Sequence, residues 1–155
     1  MTVAQQLFDA VESHAISSGH FERVNTAEPK SAPGNGLAAA IWLSAIGPAG
    51  GASGLNATTG RIELSVRLYT GMLTDPPDMI DPNLTQAAID LMTDYSGDFG
   101  LSIVDAFNVR MIDLLGAHGT GLSANAGYIN QDGSLFRVIT ITLPIVVNDL
   151  WSQTA

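Results

Sequence analysis

The sequence predicts an α+β domain with a mixed, mostly antiparallel β-sheet, two main helices and a long glycine-rich hairpin tip. Three patterns carry this prediction. Residues 2–19 place apolar side chains at helical spacing, residues 61–69 alternate strictly between polar and apolar, and residues 133–151 form a long β-branched run. At 155 residues the chain is predicted to form one domain, spanning residues 1–155, with enough length to bury a core.

The first helix is predicted from its start, its stripe and its end. Thr2 and Gln5 have the spacing of a capping box, in which each side chain bonds the backbone of the other. An apolar residue recurs every fourth position, at Val3, Leu7, Val11 and Ala15. Such a stripe faces the core of a globular protein. Gly19 favours the left-handed turn that ends a helix, and a short strand is predicted over 20–24.

Two strands and a long tip are predicted next. Residues 37–46 are apolar almost throughout, which is typical of a strand buried on both faces. In residues 61–69 one face is apolar, with Ile62, Leu64, Val66 and Leu68, and the other carries Arg61, Glu63, Ser65 and Arg67. The segment 47–60 between them is too rich in glycine for the interior of a helix or strand. It is therefore predicted to be the tip of a β-hairpin, mobile and projecting from the sheet.

A second helix and three further strands complete the prediction. Asp81 is expected to cap a helix that begins at Pro82, because proline is favoured at the first helical position. Residues 108–116 are predicted to form a strand. The last two strands are expected to form a hairpin that turns at 130–133, where Asp-Gly favours the positive φ of a tight turn.

The final strand raises the question of its partners. Its apolar residues fall on odd positions from Ile139 to Val147, whereas Phe136 and Val138 fall on even ones, so a bulge is predicted near Val138. Pro144 cannot donate a hydrogen bond to a neighbouring strand, which predicts that this part of the strand lies at a sheet edge or beyond the domain's own sheet. An exposed apolar edge invites pairing with another chain. A neighbouring subunit is the expected cover.

Composition limits the classes of partner. Only 14% of residues are charged and the net charge is −9, with six basic residues scattered along the chain. Duplex DNA is an unsuitable partner, because phosphate binding requires clustered Lys and Arg. The low charge favours an oligomer, although a surface of Gly, Ser, Thr, Asn and Ala is the alternative. The first residues lack a basic signal-peptide region and no apolar run reaches about 18 residues, so folding in a cytoplasm without a membrane segment is expected.

No catalytic, cofactor or metal site is predicted. His14, His20 and His118 lie in none of the patterns that hold zinc, and the chain has no cysteine. The aspartates of 75–81 lack the spacing of an EF-hand and suit a turn and a helix cap better. The glycine-rich segment lacks the Lys-Ser/Thr of a phosphate-binding loop.

The order of elements and three segments resemble the tail terminator family of long-tailed bacteriophages. The segments are RIELSVRLYTGM (61–72), VRMIDLLGAHG (109–119) and AGYINQDGSLFRVITITLPIVVNDLW (126–151). The last two, with TGLSA between them, resemble the version found in phages of actinobacteria. The resemblance spans most of the chain and is strongest after residue 60.

The resemblance implies an α+β sheet with the helices packed on one face and a structural role rather than an enzymatic one. Members of the family form a ring, usually of six subunits, that caps the tail tube at its head-proximal end, stops polymerisation of the major tail tube protein and presents a surface to the head–tail connector proteins. Assembly in the host cytoplasm and incorporation into the virion are then expected. A head–tail connector or stopper of the same phage, or a binding module unrelated to phages, remains the alternative.

Five residues are candidates for contacts with other subunits or with the tube. Three charged side chains lie on the polar face of the strand over 61–69, namely Arg61, Glu63 and Arg67. Pro144 marks the predicted edge, and Trp151 lies near the C-terminus. The alternative for each is an ordinary solvated surface or, for Trp151, a place in the core.

Overall fold

A computed structural model describes residues 3–19, 21, 23–25, 38–48, 60–71, 77–107, 109–116, 121–131 and 134–148. Within these ranges the elements are α1 (Val3–Ser17), β1 (Arg23–Asn25), β2 (Ala38–Pro48), β3 (Gly60–Gly71), α2 (Pro77–Tyr95), α3 (Asp98–Ala106), β4 (Val109–Ile112), β5 (Ser123–Gln131) and β6 (Ser134–Val147). The predicted α+β class is confirmed. Of the predicted features, the capping residue Thr2, most of the tip over 47–60 and Trp151 lie outside the described residues.

The sheet has the strand order β1-β2-β3-β6-β4, and β5 also pairs with β6. Only β1 runs parallel to its neighbour, so the sheet is mixed and mostly antiparallel, as predicted. The β2–β3 hairpin is confirmed, with its ladder running from Ala38–Tyr69 out to Pro48–Gly60. The final hairpin is confirmed by the pairing of Gln131 with Ser134.

All three helices pack on one face of the sheet and form the main core with it. Leu7, Val11 and Ala15 of α1 are buried, which confirms the predicted stripe. The sheet contributes the even positions of β3 and the odd positions of β6. The largest fully buried aliphatic side chains of this core are Leu7, Ile41, Ile62, Leu64, Leu68, Leu84, Leu91, Ile103, Ile141 and Leu143. Gly19 has a φ of 78°, the left-handed conformation expected after a helix.

The length of β6 follows from its position in the sheet. One side pairs with β3 from Phe136 to Val147, and the other pairs first with β5 and then with β4. β6 is therefore a central strand that holds three neighbours, and the predicted edge position is wrong. The predicted bulge near Val138 is also wrong, because the register with β3 is continuous there. Phe136 and Val138 instead pack with Tyr69 in a second apolar cluster on the opposite face.

Other features of the helices and strands also differ from the prediction. Only Ala38 to Ile41 of β2 are buried, whereas residues 43–46 are exposed, so β2 is not buried along its whole length as predicted. α2 begins at Pro77 rather than at Pro82, and proline suits that first position since its missing N–H would have no partner within the helix. α3 was not predicted from the sequence at all.

Candidate functional site: the helix-free face and the edges of the sheet

The polar residues of β3 lie together on the sheet face opposite the helices. Arg61, Glu63, Ser65 and Arg67 alternate with the core residues, as the sequence predicts. Their neighbours on β6 are Val146, Pro144, Thr142 and Thr140 in the same order. This face is the candidate contact surface, so the environment of each charged group on it decides its role.

Arg61 is the centre of a buried ion network. Its Nη1 lies 2.7 Å from Oε1 of Glu63, and its Nε lies 3.7 Å from Oδ2 of Asp113. Asp113 directly follows β4 and is fully buried, and its backbone N–H donates to the carbonyl oxygen of Pro144 at 3.0 Å. The network therefore links β3 to the end of β4 across the intervening strand β6.

This network corrects the expectation that the charged face is open to solvent. Arg61 is only 9% exposed and Ser65 only 8%. Glu63 and Arg67 are partly exposed. Asp113 was not singled out in the sequence, since an aspartate after a short strand has no local feature that distinguishes a buried partner of arginine from a surface turn.

Arg67 is held by its neighbours in a different way. Its guanidinium carbon lies 4.9 Å from the centre of the Trp42 ring, a cation–π arrangement, and its Nε donates to the hydroxyl oxygen of Thr140 at 3.2 Å. Trp42 is itself partly exposed. Arg67 and Trp42 thus present a mixed cationic and aromatic surface, which is a chemistry enriched at protein interfaces.

Pro144 is buried and lies where β6 changes partners. β5 pairs with β6 up to Thr142, and β4 begins its pairing at Ile145. The carbonyl oxygen of Pro144 faces the β4 side, so its nitrogen faces that side too. The ladder is interrupted at this point, and the absent N–H therefore costs no regular strand pairing. Proline is tolerated in a central strand for this reason, and the edge argument based on Pro144 does not hold.

The exposed edge of the sheet belongs instead to β5. Its sequence SANAGYINQ has neither a charged residue nor a proline. Five of its residues are exposed, including Tyr128 at 57%. Its inner side pairs with β6 over all nine positions, and no described strand pairs with its outer side. The opposite edge is the three-residue strand β1.

A second polar cluster joins the helices. Nε2 of His14 lies 3.1 Å from Oδ2 of Asp94, and the His14 ring stacks on Phe99 with centroids 4.1 Å apart. Tyr95 packs against both rings. The hydroxyl of Tyr95 and Nδ1 of His14 are buried and have no hydrogen-bond partner in the described part of the chain. This cluster links α1 to α2 and α3.

Tyr95 gives the fold an expected sensitivity to alkaline pH. Burial, aided by the negative charge of Asp94, raises the pKa of Tyr95 above its ordinary value of 10.0. Above pH 10 the unfolded chain releases this proton while the folded chain retains it, so folding stability falls as pH rises, by up to about 1.4 kcal/mol per pH unit. Tyr95→Phe is expected to remove this loss and to cost little at neutral pH, because the buried hydroxyl bonds no described residue.

Urea unfolding at several pH values above and below 10 checks this expectation. Tyr128→Phe, which changes an exposed tyrosine, is the control and should retain the alkaline loss. An unchanged pH dependence in Tyr95→Phe would show that other groups cause the loss.

Metal-binding clusters and membrane-spanning helices are absent from the described ranges. These ranges contain no group of three or more His, Cys, Asp or Glu residues able to hold a metal ion. No helix in them is both long and apolar enough to cross a membrane. Neither a protein-family model nor a curated protein sequence matches this chain.

Proposed function

We propose that this protein is a structural subunit of a long-tailed bacteriophage that forms a ring, with six copies as the expected number, on the head-proximal end of the tail tube. As a tail terminator it ends polymerisation of the major tail tube protein and offers its other side to the head–tail connector proteins. It acts by binding rather than by catalysis. It assembles in the host cytoplasm and remains in the virion. The resemblance of residues 61–72, 109–119 and 126–151 to the tail terminator family supports this role in a phage tail.

The uncharged edge strand β5 is the observation that carries this proposal. Monomeric proteins protect an exposed edge with charge, proline or a bulge, because unpaired backbone groups recruit other strands. β5 has nine residues without charge or proline, and its register with β6 is continuous. The low overall charge of 14% supports the same interpretation. A chain with such an edge suits an assembly in which neighbouring copies cover it.

The expected effect of losing the protein is specific to a terminator. The end of a tube continues to bind further tube protein until a ring binds that end. The other side of the ring has a different surface, so tube protein is no longer added. A phage without this gene should therefore make filled heads and unattached tubes of uncontrolled length. Electron microscopy of infected-cell lysates measures both properties, and the wild-type gene supplied from a plasmid is the control.

Two outcomes would contradict the proposal in different ways. Unattached tubes of normal length would assign the protein to the head–tail connector or stopper instead. Normal tails joined to heads would remove the phage-tail role altogether.

A further inference from the structure

Three exposed leucines near β4, Leu101, Leu114 and Leu115, are here called the leucine patch. Leu101 of α3 is 64% exposed, and Leu114 and Leu115 follow β4 with exposures of 40% and 98%. Leu101 and Leu114 line the same shallow depression together with Arg110. Arg110 is exposed and forms no ion pair with any residue in the described ranges. A leucine almost fully in water is the kind of side chain that a protein interface buries.

The turn that carries Leu114 and Leu115 is held in place by backbone and ionic contacts. Asp113 donates its N–H to Pro144, accepts a hydrogen bond from the N–H of Leu122 at 3.1 Å, and lies beside Arg61. Gly121 packs so closely that a Cβ there would lie 2.6 Å from the carbonyl oxygen of Leu114. A fixed turn loses little conformational entropy when its exposed side chains are bound.

A groove that can accept these leucines lies beside α1, here called the α1 groove. It is lined by Ala4 and Phe8 of α1 and by Leu43, Ile62 and Leu64 of the sheet, with a volume of about 700 Å³. Asp9 and Glu12 lie on its helical wall. Its apolar floor fits leucine side chains, and its two carboxylates complement the charge of Arg110.

The leucine patch and the α1 groove lie at the same height along the strand direction and near opposite edges of the sheet. Leu43 pairs with Leu64, and Leu64 pairs with Leu143. The next residue of β6, Pro144, accepts the hydrogen bond from Asp113, which leads directly into the leucine patch. The α1 groove thus lies over β2 and β3, whereas the patch lies beyond β6 next to β4. Both surfaces are on the helical side, since α1 lines one and α3 lines the other.

We propose that the leucine patch of one copy docks into the α1 groove of the next copy, head to tail, with Arg110 beside Asp9 and Glu12. Two different surfaces on one molecule make a heterologous contact, which generates a ring when the rotation closes. Their common level along the strands suits a rotation that keeps successive copies in one plane. This contact rests on the proposed ring and specifies which residues build it.

Cysteine cross-linking tests the contact, because the natural chain contains no cysteine. The test variant carries Leu115→Cys and Leu43→Cys and is treated with a short thiol-to-thiol cross-linker, both alone and after mixing with isolated tail tubes. Each single variant is a control. The matched double control is Leu115→Cys with Ile89→Cys, since Ile89 is exposed on α2 outside both surfaces. Circular dichroism confirms that all variants fold.

The proposal expects a ladder of covalent oligomers from the test variant alone, read on a denaturing gel, and rings in micrographs of the same sample. If rings form but the test variant gives no more covalent oligomers than the double control, this contact is overturned and the proposed ring is retained. Cross-linked dimers from Leu115→Cys alone would also overturn it, because they indicate a contact between identical surfaces. Neither rings nor a ladder, with or without tubes, would overturn both the contact and the ring.

Discussion

Replacement of Arg61 by glutamate is expected to destabilise the protein by about 3–5 kcal/mol, the cost of leaving a buried charge without its counterion. Arg61 lies between the carboxylates of Glu63 and Asp113, and Asp113 is fully buried. The substitution removes the cation and places a third carboxylate beside the other two. Asp113→Asn should also destabilise, because it removes the buried anion that faces Arg61.

Urea unfolding measures this loss as a lower midpoint at an unchanged slope. The matched control is Arg67→Glu, which reverses a charge on the same strand and the same face. Arg67 is partly exposed and contacts Trp42 and Thr140, so its reversal should cost only about 1 kcal/mol. Equal losses in the two variants would contradict the assignment of Arg61 to a buried network.

A double-mutant cycle separates the pair from its surroundings. Arg61→Met with Asp113→Leu should destabilise less than the sum of the two single variants, because the fully buried anion is removed together with its cation and the remaining carboxylate, that of Glu63, is partly exposed. The burial of Arg61 also determines which variant can test the sheet face for contacts. Reversal of Arg61 reports folding, whereas reversal of Arg67 with its smaller stability cost is the variant that reports binding to another subunit or to the tube.

The elements that the sequence predicted well are those whose signal is local. The alternation over Ile62 to Leu68 and the four-residue repeat of Leu7, Val11 and Ala15 follow directly from the geometry of a strand and a helix. The final hairpin was predicted because its Asp-Gly turn separates two strand-forming runs. In each case one short segment contains both the pattern and its explanation.

The errors concern pairing between distant segments. Pro144 has no backbone N–H in any position. This property alone does not distinguish a strand at the sheet edge from the point where the partner of β6 changes from β5 to β4. The same limit applies to Asp113, whose burial depends on Arg61, more than fifty positions earlier in the chain. Periodicity contains no information about such partners. The candidate site changed accordingly, from the end of β6 to the edge strand β5 and the surfaces beside β4 and α1.

α3 was not predicted because it is only nine residues long and has a glycine in its first turn. Its third residue is glycine, which is normally unfavourable inside a helix by about 1 kcal/mol relative to alanine. Here the glycine is required by the close approach of α2. A Cβ at Gly100 would overlap the backbone carbonyl oxygen of Tyr95 and would lie 3.1 Å from Cδ1 of Ile112. Tertiary packing therefore selects the residue that helix propensity disfavours.

Gly100→Ala is accordingly expected to destabilise the protein by about 3 kcal/mol, toward the upper end of the cost of overpacking. The Ile112 side chain can shift, but the Tyr95 carbonyl belongs to the last turn of α2 and moves only if the junction of α2 with α3 opens. The control is Gly127→Ala, because a Cβ there meets nothing within 4 Å. That variant should remain within about 0.5 kcal/mol of the wild-type protein, as surface substitutions usually do.

Thermal and urea unfolding measure the difference in stability between Gly100→Ala and Gly127→Ala. Cross-linking through the leucine patch tests a second consequence of Gly100→Ala. An opened junction displaces α3 and with it Leu101, one of the three leucines of the patch. Gly100→Ala should therefore weaken cross-linking between Leu115→Cys and Leu43→Cys as well as lowering stability. A gain in stability in Gly100→Ala, as expected for an unobstructed helix, would show that α2 does not approach α3 as closely as the Tyr95 carbonyl indicates.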